Sequence, residues 1–348
     1  MTKLLTDLFE KAPKVMLLFF AFYLICSCSS EEIKERATHN GQLDLVKIAV
    51  WGPRIIDFID LYVGEELGYF RDAGIEVQQL SAQGAGDAIR NVIAGNAHIA
   101  MSDPFSAYFA IQGGAELKGF YCPYTKSWMK IVVNARNGIR APEDLKGKTI
   151  AVTSQASTSR YSLMLFLAAH GLSEDDVQIA AVGRDFASAL LGGSVDAAST
   201  WDSVNWGMFN KSEGPDSMGF DIWENELVPG PNDVYFSQSE WLVSHDDVIK
   251  RFVRAINQAK LWIAKNPSEA ANLGPKYALG GDDLVRNRAV IEMRIAMQNQ
   301  GRGVATNGVG WCDVQSMSQV AELAVKLGIL SETLDLTSLM TNEFLGSI

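Results

Sequence analysis

The densest group of side chains able to do chemistry is the turn Thr153-Ser-Gln-Ala-Ser-Thr-Ser159. Residues 158–170 read as a helix. The hydroxyls of Ser154, Ser157, Thr158 and Ser159, with the free backbone N–H groups of its first turn, therefore suit an anion or another polar group. Plain N-capping by a single Ser or Thr is the simpler use of the same residues. Gly84-Ala-Gly86 begins a second helix and lets a backbone come close to a ligand. The alternative there is a tight turn in which Asp87 stabilises the helix start. Without a third glycine, residues 84–89 are not a dinucleotide fingerprint. Trp51 and Trp201 stand at strand ends, where a ring can stack on a flat ligand or line an apolar slot, or else pack between helix and sheet. Gln83, Ser102, Asp103 and Asp202 hold comparable positions. The two aspartates could accept hydrogen bonds from a ligand amine or amide, or could cap helices. Arg54, Arg160 and Arg184 could supply charge to an anion but read better as solvated surface residues. Tyr124, Lys126 and Trp128 lie where a hinge is expected.

These residues point to binding rather than to bond-making. His39, His98, His170 and His245 show no metal-ligand spacing, and neither Cys-x-x-Cys nor Gly-x-Ser-x-Gly occurs. No metal and no cofactor are implied.

The elements that position the candidates alternate strand and helix from residue 45 on. Strands are expected at 45–50, 75–80, 98–102 and 117–121, with helices at 55–70, 87–94 and 105–112 between them. The pattern then restarts, with strands at 130–134, 149–153, 177–181 and 196–200 and helices at 158–170 and 186–191. Such alternation implies βαβ units and mostly parallel sheets. In an open parallel sheet, ligands sit beyond the carboxyl ends of the strands, and that rule selected the candidates above. Residues 211–231 are rich in Gly, Pro, Asp and Asn and read as a boundary. A strand is expected at 234–244, then helices only. The first of these, 245–265, carries Val248, Phe252, Ile256, Ala259, Trp262 and Ile263 on one face. The domain reading is a lobe of residues 44–128 plus 227–348, a second lobe of 129–226, and a cleft between them.

With 30 Lys+Arg against 41 Asp+Glu the chain carries −11, which disfavours nucleic acid and anionic lipid surfaces as partners. The N-terminus departs from the rest. Lys3, Lys11 and Lys14 lead into an apolar run over 15–25, too short to span a bilayer comfortably but right for the core of a secretory signal. The following Ile25-Cys-Ser-Cys28 resembles a bacterial lipobox with Cys28 as the acylated residue; plain secretion or an uncleaved anchor are the alternatives. Residues 1–27 are thus expected to be a signal peptide and 28–43 a polar, flexible tether. Cys122 and Cys312 would be the remaining cysteines. They could pair in an oxidising compartment, but the default expectation is two buried thiols.

A series of segments in fixed order then carries a resemblance. They are Val46-Lys-Ile-Ala-Val-Trp51, Glu66-Leu-Gly-Tyr-Phe-Arg-Asp-Ala-Gly-Ile-Glu-Val77, Gly84-Ala-Gly-Asp-Ala-Ile89 and Ala94-Gly-Asn-Ala-His-Ile-Ala-Met-Ser-Asp103. Pro142-Glu-Asp-Leu-Lys-Gly-Lys-Thr-Ile-Ala-Val152 and Ala189-Leu-Leu-Gly-Gly-Ser-Val-Asp-Ala-Ala198 complete the series. Over residues 44–345 the chain resembles the substrate-binding proteins of ABC importers for nitrate, sulfonates, taurine and thiamine-precursor pyrimidines. The resemblance implies a two-lobed type II periplasmic-binding-protein fold. It also implies a monomeric, extracytoplasmic receptor, lipid-anchored to the cell envelope, that passes a small solute to permease subunits without altering it. The pyrimidine-synthase branch of that family carries a cysteine-rich motif with no counterpart here. The favoured ligand is a small anion such as a sulfonate, taurine or nitrate; a thiamine-precursor pyrimidine or other heteroaromatic is the alternative. A ligand-sensing module of a signalling system is the reading from another class.

Overall fold

Runs such as Asp44-Leu-Val-Lys-Ile-Ala-Val50 form strands because consecutive residues are β-branched or small and both faces are covered: Val46, Ile48, Ala49 and Val50 are fully buried. The computed structural model describes residues 42–124, 127–209, 218–224, 231–299 and 303–346. The signal over 1–27, the acylation of Cys28, nearly all of the 28–43 tether, and Lys126 lie outside them. From Leu45 on, the chain forms one compact unit.

Among the described residues, ten strands build two five-stranded sheets. The strands are β1 (Asp44–Val50), β2 (Ile75–Ser81), β3 (Ile99–Ser102), β4 (Leu117–Tyr121), β5 (Met129–Asn134), β6 (Thr149–Val152), β7 (Gln178–Ala181), β8 (Ala197–Trp201), β9 (Phe220–Glu224) and β10 (Val234–Gln238). The first sheet has the order β2-β1-β3-β10-β4 and the second β7-β6-β8-β5-β9. β1 runs parallel to β3, and β6 parallel to both β7 and β8. β10 runs against both of its neighbours, as does β5. These two reversals have one cause. Each is the first strand after the chain crosses from one sheet to the other. A strand that starts at the crossing must run away from it, while the others run towards it.

The helices that matter here are α1 (Ile59–Glu66), α2 (Ala85–Ile93), α3 (Pro104–Gln112), α4 (Thr158–Ala169), α5 (Phe186–Leu191), α6 (Asp202–Phe209), α7 (Asp246–Lys265), α8 (Leu284–Asn299) and α9 (Val314–Lys326). α7 buries Val248, Phe252, Ile256, Ala259 and Ile263, the face its spacing predicts, while Trp262 is half-buried. Among the described residues no helix is long and apolar enough to cross a membrane.

Local differences from expectation follow from tertiary contacts. The helix expected at 55–70 breaks at Gly68 (φ 77°), and the strand expected at 234–244 turns into a helix at Ser239. Within the segment taken as a boundary, Phe220–Glu224 pairs along β5 as an edge strand. Cys122 and Cys312 are not two buried thiols but a disulfide, with Cα atoms 5.1 Å apart. The Cys122 N–H donates to Gly310 O at 2.9 Å, so the C-terminal segment lies against the end of β4. Gly310 permits this, having φ 92° and a Tyr121 ring where a side chain would stand. A pairing across 190 residues leaves no local trace in the sequence.

Candidate functional site

The loops at the carboxyl ends of both sheets face one another across a cleft of about 800 Å³, counted together with its mouth open to solvent. From the first sheet come Trp51, Gly52 and Pro53 after β1, and Ala82 to Ala85 after β2. From the second come Thr153, Ser154 and Ser157 to Ser159 after β6, Gly183 and Arg184 after β7, and Trp201 at the end of β8. The crossing segments supply Trp128, Met129 and Asp233.

Two glycines let the walls meet beside the cavity. Gly86 N–H donates to Ala156 O at 3.3 Å, from the opposite sheet's loop. A Cβ at Gly86 would lie 2.9 Å from Ala156 Cβ, and one at Gly84 would lie 3.1 Å from Ser154 Oγ. Gly84 also needs its positive φ of 106°. Gly84 is on the cavity wall and Gly86 is not; the close approach at Gly86 is to protein.

The hydroxyls of the 153–159 turn are largely committed to the turn itself. Ser157 caps α4, and its Oγ donates to Ser154 O at 2.6 Å. Ser159 Oγ accepts from Thr153 N–H at 2.8 Å. Thr158 Oγ1 reaches Asp103 Oδ2 at 3.3 Å. Ser154 Oγ is left buried without a hydrogen-bond partner. Arg160 forms a surface pair with Glu174 at 2.6 Å, the use expected for it.

Aromatic rings dominate the remaining wall. Trp51 packs on Phe58 (centroids 4.7 Å) and edge-to-face on Trp201 (6.0 Å). Its Nε1–H donates to Asp233 Oδ2 at 3.2 Å. Trp201 is 6% exposed and its Nε1 is buried without a partner. The Arg184 guanidinium lies over the Trp201 ring at 5.3 Å. Asp233, 2% exposed, has its carboxyl pushed up to about 7 by burial, against the opposing pull of Arg294 and of the Trp51 hydrogen bond.

Behind Trp128 a buried charge network ties the sheets together. Arg294, on α8, stacks on Trp128 (4.2 Å), donates to Asp57, and lies 3.6 Å from Asp202. Ser203 on α6 also donates to Asp57, at 3.0 Å. Burial works to raise the Asp57 carboxyl, but Arg294, Arg184 and the two donors outweigh it and hold it low. Burial prevails at Asp202, whose carboxyl is raised.

Of the expected residues, Trp51, Gln83, Gly84, Ser154, Ser157, Thr158, Ser159 and Trp201 line the cavity. Ser102 does not: fully buried, it donates to Ala85 O at 3.0 Å. Asp103 caps α3 through Ser106 N–H (2.9 Å), and burial pushes its carboxyl up to about 6. Asp202 belongs to the Arg294 network. Sequence reasoning missed Asp233 and undervalued Arg184 and Trp128. A signal was available, since residues on both crossings must floor a cleft between sheets.

A match to the family described as NMT1/THI5-like extends over residues 55–270. The riboflavin-binding protein RibY of Chloroflexus aurantiacus is 26% identical over 303 residues, covering 83% of this chain and 82% of that protein. The formylaminopyrimidine-binding protein of Halalkalibacterium halodurans is 23% identical over 271 residues, covering 76% and 78%. Among solved structures, the alkanesulfonate-binding protein SsuA of Xanthomonas axonopodis pv. citri, bound to MOPS, superposes with a TM-score of 0.66 at 17% identity, over 86% of this chain and 99% of that one. Two helix-flanked sheets with this topology are the periplasmic-binding-protein fold, and the chain belongs to the NMT1/THI5-like family.

Proposed function

We propose that the protein is an extracytoplasmic solute-binding receptor that captures a flat heteroaromatic solute and hands it unchanged to the permease of an ABC importer. One observation carries the reading: Trp51, Trp128 and Trp201 line a single cavity whose charged wall groups are Asp233 and Arg184. Tryptophan faces and edges suit a planar ring. Asp233 can accept from a ring N–H or amine, while Arg184, Trp201 Nε1–H and Ser154 Oγ–H can donate to ring nitrogens or carbonyls. The names of the riboflavin- and formylaminopyrimidine-binding relatives support the same class. We take residues 44–128 plus 227–348 and residues 129–226 as the two lobes, and ligand contacts from both as what favours the closed form. The Cys122–Cys312 disulfide and the leader with its lipobox-like Cys28 support an oxidising location and a lipid anchor.

A second reading, a small anion such as a sulfonate or nitrate, draws on those same three donors. It is the weaker of the two because most hydroxyls of the 153–159 turn are already bonded. The charge state of Asp233 separates the readings. A ring that donates to Asp233 needs the carboxylate, so its affinity rises as pH climbs through about 7. An anion is repelled by that carboxylate, so its affinity falls over the same range. Titration calorimetry at pH 6 and pH 8, with riboflavin and formylaminopyrimidine against taurine, an alkanesulfonate and nitrate, tests both. Binding confined to the sulfonates or nitrate would overturn the heteroaromatic reading, and silence across the panel would sink both.

A further inference from the structure

Carboxylates from opposite lobes meet on one buried nitrogen. Arg294 Nη2, on α8 of the first lobe, donates to Asp57 Oδ1 and lies 3.6 Å from Asp202 Oδ1, where α6 of the second lobe begins. Ser203, the next residue of α6, donates from its Oγ to the same Asp57 Oδ1 at 3.0 Å. Asp57, Ser203 and Arg294 are buried, and the Asp202 side chain is 9% exposed. None of these four residues lines the cavity, so their contacts do not depend on which solute it holds.

The group is nonetheless tied to all three tryptophans of the wall. The Arg294 guanidinium stacks on Trp128 at 4.2 Å. Asp57 precedes Phe58, whose ring packs on Trp51 at 4.7 Å. Asp202 follows Trp201, and its N–H donates to Trp128 O at 3.3 Å. Trp51 and Trp201, one from each lobe, meet edge to face at 6.0 Å. Parting the lobes breaks the Ser203–Asp57 bond, draws Asp202 away from its cation and separates these two rings in one movement. With no cation between them, two carboxylates this close would drive the lobes apart. A guanidinium can serve both because it presents several N–H donors in a fixed fork.

We propose that Asp57, Ser203 and Arg294 form a closure latch, a contact between the lobes that sets how long the cleft stays shut and brings the tryptophan rings into register. This rests on the reading of residues 44–128 plus 227–348 and of residues 129–226 as two lobes that close on a solute. Solute contacts then add to a closed form that protein–protein contacts already favour. A solute leaves only after the latch has broken, so the strength of the latch enters the dissociation rate of every solute by the same factor. Arg294 is a positioning residue: from behind the wall it holds the Asp57 acceptor and the Trp128 ring.

The test measures stopped-flow dissociation of riboflavin, formylaminopyrimidine and taurine from the wild-type protein, Ser203→Ala and Arg294→Lys. A buried hydrogen bond to a charged acceptor is worth on the order of tenfold in an equilibrium, so Ser203→Ala should release each bound compound about tenfold faster. Arg294→Lys keeps a charge beside Asp57 but loses the fork and the flat stack on Trp128, and should release them at least as fast. In the double variant Ser203→Ala should add less than it does alone, because both changes act on Asp57. Cooperative thermal unfolding shows that the variants are folded; a merely structural role would lower the melting temperature and leave the dissociation rates in place. Rates for Ser203→Ala within about twofold of wild type, or factors that differ between compounds by more than about threefold, overturn the latch and leave the solute readings intact. Failure of all three compounds to bind overturns the solute readings instead, and the latch is then read in the protein alone. Small-angle X-ray scattering should give Arg294→Lys a larger radius of gyration than wild type, and equal radii overturn the latch.

Discussion

Reducing the Cys122–Cys312 disulfide will destabilise the protein substantially without weakening ligand binding. The bond closes a loop with a sequence separation of 190. In the loop-closure treatment, a cross-link of that span removes about 18 cal/mol/K from the unfolded chain, about 5 kcal/mol at 25 °C. Native disulfides usually return part of this, and about 2–5 kcal/mol is the working range. At about 2–4 °C per kcal/mol for a domain of comparable size, the melting temperature should fall by on the order of 10 °C. Comparing oxidised and reduced protein keeps every side chain in place, so no mutational cavity enters the comparison. Both cysteines are buried and neither is on the cavity wall, so ligand affinity measured well below both transitions should be unchanged. Residues 29–348 contain these two cysteines only, so thiol titration of that chain reports the bond directly. Two titratable thiols in unfolded, unreduced protein would refute the pairing. Oxidised and reduced forms melting within about 2 °C of each other would refute the energetic reasoning.

Replacing Arg294 by Met leaves Asp57 and Asp202 buried without their cation. The expected loss is about 3–5 kcal/mol at pH 7, read by urea unfolding. The loss should shrink as pH falls, because an uncompensated buried carboxyl takes up a proton; a loss below about 1 kcal/mol, independent of pH, would contradict this account. Asp233→Asn tests the opposite sign. The raised folded-state value, about 7, means that native Asp233 retains a proton which the unfolded chain releases near pH 4. Wild-type stability therefore declines as pH rises between these values. The Asn variant lacks that share of the slope, so relative to wild type it should melt higher at pH 8 than at pH 5. Parallel pH profiles for the two proteins would show that Asp233 is not the titrating group.

The architecture and much of the cavity wall were legible in the amino-acid order, because both depend on local patterns. Mostly apolar runs such as Ile48–Val50 and Ile150–Val152 become strands wherever both faces are covered. The rule that sites lie beyond strand carboxyl ends needs only the strand positions. It picked out Trp51, Gln83 and Gly84 from one sheet and Ser154, Ser157, Thr158, Ser159 and Trp201 from the other, which line the same cavity from opposite sides. The same rule could not tell which strand-end residues turn inward to serve the protein. Ser102 binds Ala85, Asp103 caps α3, Gly86 meets Ala156 and Asp202 joins Arg294. Those choices depend on what stands opposite once the two sheets face each other. The decisive pairs are remote in sequence: Trp51 with Asp233 across 182 residues, Asp57 with Arg294 across 237, and Cys122 with Cys312 across 190. No periodicity or spacing encodes such partners. They are selected by the crossing of the chain between sheets, which brings distant polar groups into one buried volume where each must find the other or remain unsatisfied.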